Sequence, residues 1–333
     1  MSLRRPLSPL WVALAVSVFI VAQAPSPAQS RSLILATAST GGTYFPAGVA
    51  ISALLNSRLT VSDNLVVTAI NTTGSGENIH LLAEGECDLA ILSGVYAIQA
   101  YRGMGFYTGR PMKNMAVVAM LWNNVLHVLL RNEFVKNGDL SDLKGLADKF
   151  SLAALDSGGI NSDQVIFDAL GIIKDQDFIA EYMGFLPSVD AILKKQIGGA
   201  AFTAGVPIAA VSRLLASEGE QLSILNVTDR QLAKINADYD VWTRYPIKAW
   251  TYPGQNEDVR TIAYPNILVA SNRLSDEDVY LITKCIFERL PQLAEFLETT
   301  NAEALVRALG GIDLPQHPGA QRYYHELAES FSQ

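Results

Sequence analysis

The sequence predicts a two-domain α/β protein, each domain a mainly parallel sheet flanked by helices. Three observations predict it. The chain has 333 residues, 49% hydrophobic and 17% charged, enough for two packed cores at about 100 to 200 residues per domain. Short β-type runs alternate with helical periodicity along its length. Several strand-to-helix turns combine glycine with hydroxyl residues, and in parallel α/β sheets such turns lie at the carboxyl ends of the strands, where ligands bind.

The N-terminus reads as a secretory leader. Arg4 and Arg5 precede the apolar run Leu10 to Ala22, broken only by Ser17, and the Pro- and Ser-rich APSPAQS follows. The run is short of the ~20 residues that span a bilayer, and Ala28 and Ser30 provide small residues for cleavage near Ser30/Arg31. The expected location is periplasmic. An uncleaved N-terminal anchor is the alternative, because the uncharged stretch runs on from Pro6 to Ser30.

LILAT (Leu33 to Thr37) is a buried-strand run, and Ala47, Ala50, Ile51, Leu54 and Leu55 then recur at helical spacing. NLVVTAI (Asn64 to Ile70) repeats the pattern with helix positions Ile79, Leu81 and Leu82, and DLAIL (Asp88 to Leu92) follows. MAVVAML (Met115 to Leu121) and LHVLL (Leu126 to Leu130) read as two strands split by a polar turn at Trp122-Asn123-Asn124, the first antiparallel at an edge. SDLKGLADKFSLAAL reads as a short helix feeding a strand, and Asn161 with Gln164 as a capping-box-like helix start. Strands near Ile179 to Met183, Ala200 to Thr203 and Leu222 to Val227 would make a second sheet. AYPNILVAS (Ala263 to Ser271) is a further strand. Ser275 with Asp278 caps a helix bearing Val279, Ile282 and Ile286, and Thr300 with Glu303 opens one bearing Leu305, Val306 and Leu309.

Composition excludes several functions. The formal net charge is −8 and the basic residues are scattered singly or in pairs, so nucleic acid is not an expected partner. His80, His127, His317 and His325 form no HxH or HxxxH pair, and Cys87 and Cys285 sit in apolar patterns as core thiols rather than as a disulfide, so neither metal nor cofactor is expected. There is no G-x-S-x-G elbow and no phosphate-binding loop, and Gly103-Met104-Gly105 lacks the third glycine of a dinucleotide fingerprint. Ser39 or Ser157 with His127 as base would be the catalytic alternative, and no spacing supports it. The expectation is a binding protein, not an enzyme.

The Gly-hydroxyl turns are Ser39-Thr40-Gly41-Gly42-Thr43, Thr72-Thr73-Gly74-Ser75-Gly76 and Asp156-Ser157-Gly158-Gly159, all without Lys or Arg. Glycine admits a ligand close to the backbone, hydroxyls hydrogen-bond it, and the helix N-terminus beyond adds roughly half a positive charge. Such turns suit a small carboxylate.

ATASTGGTYFPAG (Ala36 to Gly48), NTTGSGENIHLL, LHVLLR, AGVP (Ala204 to Pro207), TYPGQNEDVRTIAYPNILV and HPGAQRYY (His317 to Tyr324) together resemble the TAXI family of solute receptors for TRAP transporters, collinearly from about Leu33 to Glu326. The resemblance implies the type II periplasmic binding-protein fold: a leader over 1–30, lobe I over 31–129 plus 269–333, and lobe II over 130–268, with LHVLL and NILVAS as a two-strand hinge. It implies a cleft between the lobes in which Thr40, Gly42, Thr43 and Tyr44 provide N–H groups, a hydroxyl and an aromatic wall. Thr73, Gly74, Ser75 and Asn78 match a second cleft motif, Ser157 and Gly158 a third, and Gly205 lies in a fourth. His127, at the hinge, faces either cleft or core. The chain departs from the family pattern at Asp156, at Gly159 and at Ser93-Gly94-Val95. Asp156 either reads a ligand ammonium group or faces solvent as a helix cap. The implied function is capture of a glutamate-like amino acid or organic acid by a monomeric receptor, and its delivery to membrane-embedded TRAP permease subunits. An ABC importer's binding protein and a non-transport sensor are the rivals.

Overall fold

The computed structural model describes residues 30–330 apart from 41, 156, 238–240 and 297–311. The leader, Asp156 and the helix expected from Thr300 lie outside the described residues.

The chain opens with β1 (Arg31–Ala36), whose Leu33, Leu35 and Ala36 are buried, between parallel neighbours β2 (Leu65–Ile70) and β3 (Leu89–Ser93). Helix α1 (Tyr44–Asp63) covers this sheet with Ala47, Ile51, Leu55 and Leu59, successive residues at four-residue spacing. It stops at Asn64, whose φ of 51° closes the last turn in the left-handed region that asparagine tolerates. α2 (Ser75–Glu84) and α3 (Gly94–Arg102) follow β2 and β3 and pack into a second cluster around Ile79, Leu82 and Leu92.

A second parallel group places β5 (Lys149–Leu152) between β6 (Ile179–Tyr182) and β7 (Gly199–Ala204). Its helices are α4 (Gly158–Leu170), α5 (Phe185–Leu193), α6 (Ala209–Glu218) and α7 (Asp229–Ile235). Helix α4 starts three residues before the expected Asn161–Gln164 box. Ser157 is its cap, accepting from the Ile160 N–H, while buried Asn161 donates to the Gln99 side chain at 2.6 Å.

Two long strands join the groups: β4 (Ala116–Arg131) and β10 (Val259–Ala270). β10 runs antiparallel to β3 and to β4, and β4 continues past Val125 antiparallel to β7 and to β8 (Leu222–Ile224). The described strands therefore form one ten-stranded sheet in the order β2-β1-β3-β10-β4-β7-β5-β6, with β8 on β4 and β9 (Thr243–Ile247) on β10, where two separate sheets were expected. The expected turn at Trp122–Asn124 is likewise absent. Trp122 and Asn124 are 2% and 3% exposed. The indole donates to the Thr43 hydroxyl at 3.1 Å, and the Asn124 amide is spent inside a buried network. The polar residues that suggest a break in the sequence are tertiary hydrogen-bonding groups on a continuous strand. MAVVAML does pair antiparallel, with β10.

The architecture is α/β, two parallel groups connected by a pair of crossing strands. Helix α8 (Asp276–Glu288), capped by Ser275 as expected, and α10 (Pro318–Ser330) return to pack on the first group, with α9 (Leu290–Phe296) between them in sequence. Cys87 and Cys285 are buried free thiols. No described helix is long and apolar enough to cross a membrane.

The network around Asn124 is expected to be a large stabilising element. Asn124→Ala should lower the unfolding free energy by about 2 to 3 kcal/mol, because it strands buried partners. Urea denaturation reads this, and a loss below about 0.5 kcal/mol would deny the network that role.

Candidate functional site

The turns at the carboxyl ends of β1, β2 and β5 and the turn after β6 converge on a cavity of ≈ 70 Å³. From the first group come Ala38, Ser39, Gly42, Thr43 and Tyr44, then Thr73 and Gly74. The second group contributes Ala153, Ala154, Ser157, Gly158 and Gly159, together with Gly184 and Phe185. Asn124 on β4 and Thr203 and Ala204 on β7 complete the wall.

Glycines set how closely the two groups approach. Gly74 has φ 125°, and a Cβ there would stand 3.4 Å from Ser157 Cα and 3.6 Å from Gly158 N. Backbone thus faces backbone across the cavity mouth, at a conformation that disfavours side chains. A Cβ on Gly158 would lie 2.6 Å from the Ser75 hydroxyl, and one on Gly205 would meet Trp122 at 2.9 Å and Thr43 at 3.0 Å. The Thr43 hydroxyl accepts from both Trp122 Nε1 at 3.1 Å and Gly205 N at 3.4 Å, tying the first turn to the loop after β7.

Electrostatically the cavity is made of helix ends. Four helices, α1, α2, α4 and α5, begin at it. Thr43, Gly74 and Gly184 make no side-chain cap bond, so at three of the four the first-turn N–H groups are left without a side-chain acceptor. Glu77 offsets part of the α2 end by accepting from the Thr73 N–H at 2.7 Å and its hydroxyl at 2.8 Å. No described lining residue carries a charge. An anion in such a cavity would meet backbone dipoles rather than a cationic side chain.

Behind the cavity lies the buried network. The Tyr44 hydroxyl donates to Asn266 Oδ1 at 2.5 Å, and Asn266 donates to Asn124 Oδ1 at 2.8 Å. The Asn124 amide reaches the Tyr44 and Tyr264 hydroxyls at 3.3 and 3.2 Å, and Ser162 donates to Tyr264 at 2.8 Å. Burial raises the Tyr44 phenol well above its usual range, so it stays a donor. Asp163 is also fully buried. One of its oxygens accepts from the Thr203 hydroxyl at 3.5 Å and the other has no partner, and burial pushes its carboxyl up to about 7 against the bonds from Ala153 and Thr203.

Of the sequence-derived site residues, Gly42, Thr43, Tyr44, Thr73, Gly74, Ser157 and Gly158 come together around the cavity. Ser157 serves chiefly as a cap: its hydroxyl donates to the Ala154 carbonyl at 2.6 Å and accepts from the Ile160 N–H at 3.3 Å. Ser75, Asn78 and Ser93 stand behind the turns, fully buried. Asn78 bonds the Thr37 and Ile91 carbonyls at 2.7 and 2.9 Å and accepts from Thr72, and Ser75 accepts from the Ser93 N–H. Thr40 is exposed on the first turn and does not line the cavity; Gly205 packs on Thr43 from outside it. His127 faces the core. Its Nδ1 lies 2.9 Å from the Val125 carbonyl, which can only accept, so Nδ1 carries the proton and Nε2, 2.8 Å away, accepts from the Tyr252 hydroxyl. Both ring nitrogens are used, which leaves none to activate Ser39 or Ser157. Asn124, Phe185 and Thr203 are lining residues that sequence reasoning missed. Asn124 was legible as a polar interruption of an apolar run, whereas Phe185 gave no signal.

Parallel strand groups joined by two crossing strands, with Gly-hydroxyl turns meeting at a cavity, make a fold like that of the periplasmic binding proteins. The chain belongs to the NMT1-like family, whose model matches residues 35–327. Among solved structures it is similar to XAC2383 from Xanthomonas citri bound to ATP, at 12% identity over 89% of this chain and 99% of that one, TM-score 0.53. It is also similar to a protein from Bordetella bronchiseptica RB50, at 15% identity over 90% and 82%, TM-score 0.50. A weaker likeness is the periplasmic aliphatic sulphonate binding protein SsuA from Escherichia coli, 12% identical over 92% of each chain, TM-score 0.45.

Two buried groups give stability opposite pH dependences. Burial lowers His127 to about 4, below the ~6.5 of an unfolded histidine, so its destabilising effect is absent above pH ~6.5 and grows as pH falls toward 4. Relative to His127→Gln, the wild type should lose about 3 kcal/mol between pH ~6.5 and 4. Asp163 has the reverse sign, since its raised carboxyl destabilises progressively as pH climbs from ~3.8 to about 7. Relative to Asp163→Asn, the wild type should lose about 4 kcal/mol across that range. Urea unfolding at pH 4, 6 and 8 decides both, and a pH-independent difference from either variant would contradict that assignment.

Proposed function

We propose that this chain is an extracytoplasmic receptor that captures a small carboxylate-bearing solute, an organic acid or a small amino acid, without chemistry. The observation that carries the reading is the convergence of four helix N-termini on a cavity whose described lining has no charge. Backbone N–H groups and helix dipoles stabilise an anion there, and excluding water strengthens them. On this reading the lobes are residues 31–129 plus 269–333 and residues 130–268, and β4 and β10 form the hinge about which they close. The leader would send the protein to the periplasm.

Delivery to a TRAP-type permease is supported by the motifs shared with the TAXI receptors, the glycine turn, TYPGQ and HPGAQRYY. The last of these begins at His317, whose N–H bonds the Val117 carbonyl at 2.9 Å, and opens α10. Tyr323 and Tyr324 pack there against Phe287, with ring centroids 5.9 and 5.1 Å away. The motif therefore has a packing role whichever transporter is served.

The test is a thermal-shift panel on purified protein, unfolded and refolded to strip bound ligand. Carboxylates should stabilise it by about 2.7 kcal/mol at 100 times their Kd, and the matching amides should not. Stabilisation by sugars or polyamines, with silence from acids, would remove the carboxylate reading. Uptake of the same acid by vesicles bearing a TRAP permease, dependent on added receptor, would support the delivery step. Uptake that required ATP would transfer the protein to an ABC importer.

A further inference from the structure

We propose that the solute is a short, singly charged acid of about two to four carbons, and that Phe185 sets this limit; the inference rests on the carboxylate reading above. The cavity of ≈ 70 Å³ is about half the ~150 Å³ of a protein cavity that admits benzene. Its size is fixed mainly by backbone. Gly74 faces Ser157 and Gly158, Gly158 is seated on Ser75 and Ser93, and a Cβ on Gly159 would stand 2.7 Å from that of Ala153. The opposing atoms are main chain or Cβ, apart from the Ser75 hydroxyl, which is held in place by accepting from the Ser93 N–H at 2.9 Å.

Phe185 is the exception. Its partly buried ring reaches to 3.3 Å from where a Cβ of Gly42 would be, so it closes the cavity toward the first turn. The ring is held from behind by Phe202, edge to face at 5.5 Å. The neighbouring wall is methyl-sized, from Ala38, Ala153, Ala154 and Ala204. A carboxylate on the helix ends thus leaves room for a short apolar stem before Phe185 blocks it. A second carboxylate would be desolvated without a counter-charge, since no described lining residue is basic.

Isothermal calorimetry on the refolded protein with acetate, propionate, butyrate, hexanoate, succinate and glutarate tests this. The wild type should prefer the best of the two- to four-carbon monocarboxylates over hexanoate and glutarate by at least about tenfold, the discrimination that one misfit methylene provides. Phe185→Ala should raise the affinity for hexanoate relative to propionate by at least about tenfold. Phe185→Leu, which keeps more of the packing on Phe202, should move the same way by less, and thermal melts confirm that each variant is folded. Hexanoate or glutarate binding the wild type as tightly as propionate would overturn the size rule and leave the carboxylate reading standing. No binding of any carboxylate by the folded protein would overturn both.

Discussion

The buried amide pair Asn124 and Asn266 is the interaction on which the rest of this structure depends. The two residues sit on the crossing strands β4 and β10, bonded to each other at 2.8 Å, at the register shift between Pro265 and Ile267. Through Tyr44 they reach α1, which follows the first cavity-lining turn, and through Tyr264 and Ser162 they reach α4 in the other strand group. Buried polar groups are costly unless every partner is supplied. Satisfied as here, they favour one arrangement of strands and helices over others of similar hydrophobic content.

That arrangement explains why the cavity needs no charged side chain. Helices placed with their N-termini on a common point supply fixed partial charges that require no counter-ion when the site is empty of ligand. Glycine at 158 lets the two helix ends meet because a Cβ there would strike the Ser75 hydroxyl, and glycine at 74 because its φ of 125° is one that side chains disfavour. Hydroxyl residues then finish the backbone rather than the ligand: Ser157 caps α4, Ser93 caps α3, and Thr72 bonds Asn78. Much of the Gly-hydroxyl signature is thus the requirement of a tight turn feeding a helix, and the cavity lined by helix ends is its consequence. Asp163 and His127 illustrate the other side of burial, an acid and a base whose charged forms are both disfavoured by the same low dielectric.

What the sequence by itself determined were features with local causes. Alternating strand and helix periodicity fixed the α/β class, most of the strands and the helices α1, α2, α4 and α8, the glycine-hydroxyl turns marked the cavity's main walls, and Ser275 announced the start of α8 because capping depends only on neighbours in the chain. What only the tertiary structure decided depends on partners distant in sequence. Trp122 and Asn124 read as a turn until Thr43, Tyr264 and Asn266 are seen to satisfy them, so two strands became one and two sheets became one. His127 was ambiguous until Tyr252, remote in the chain, claimed its second nitrogen. Phe185 gave no signal in the sequence because its place in the cavity depends on what stands opposite, Gly42 on another turn. Propensity and capping act over a few residues, whereas the fate of a buried polar group or a cavity wall is set by whichever atoms the fold brings against it.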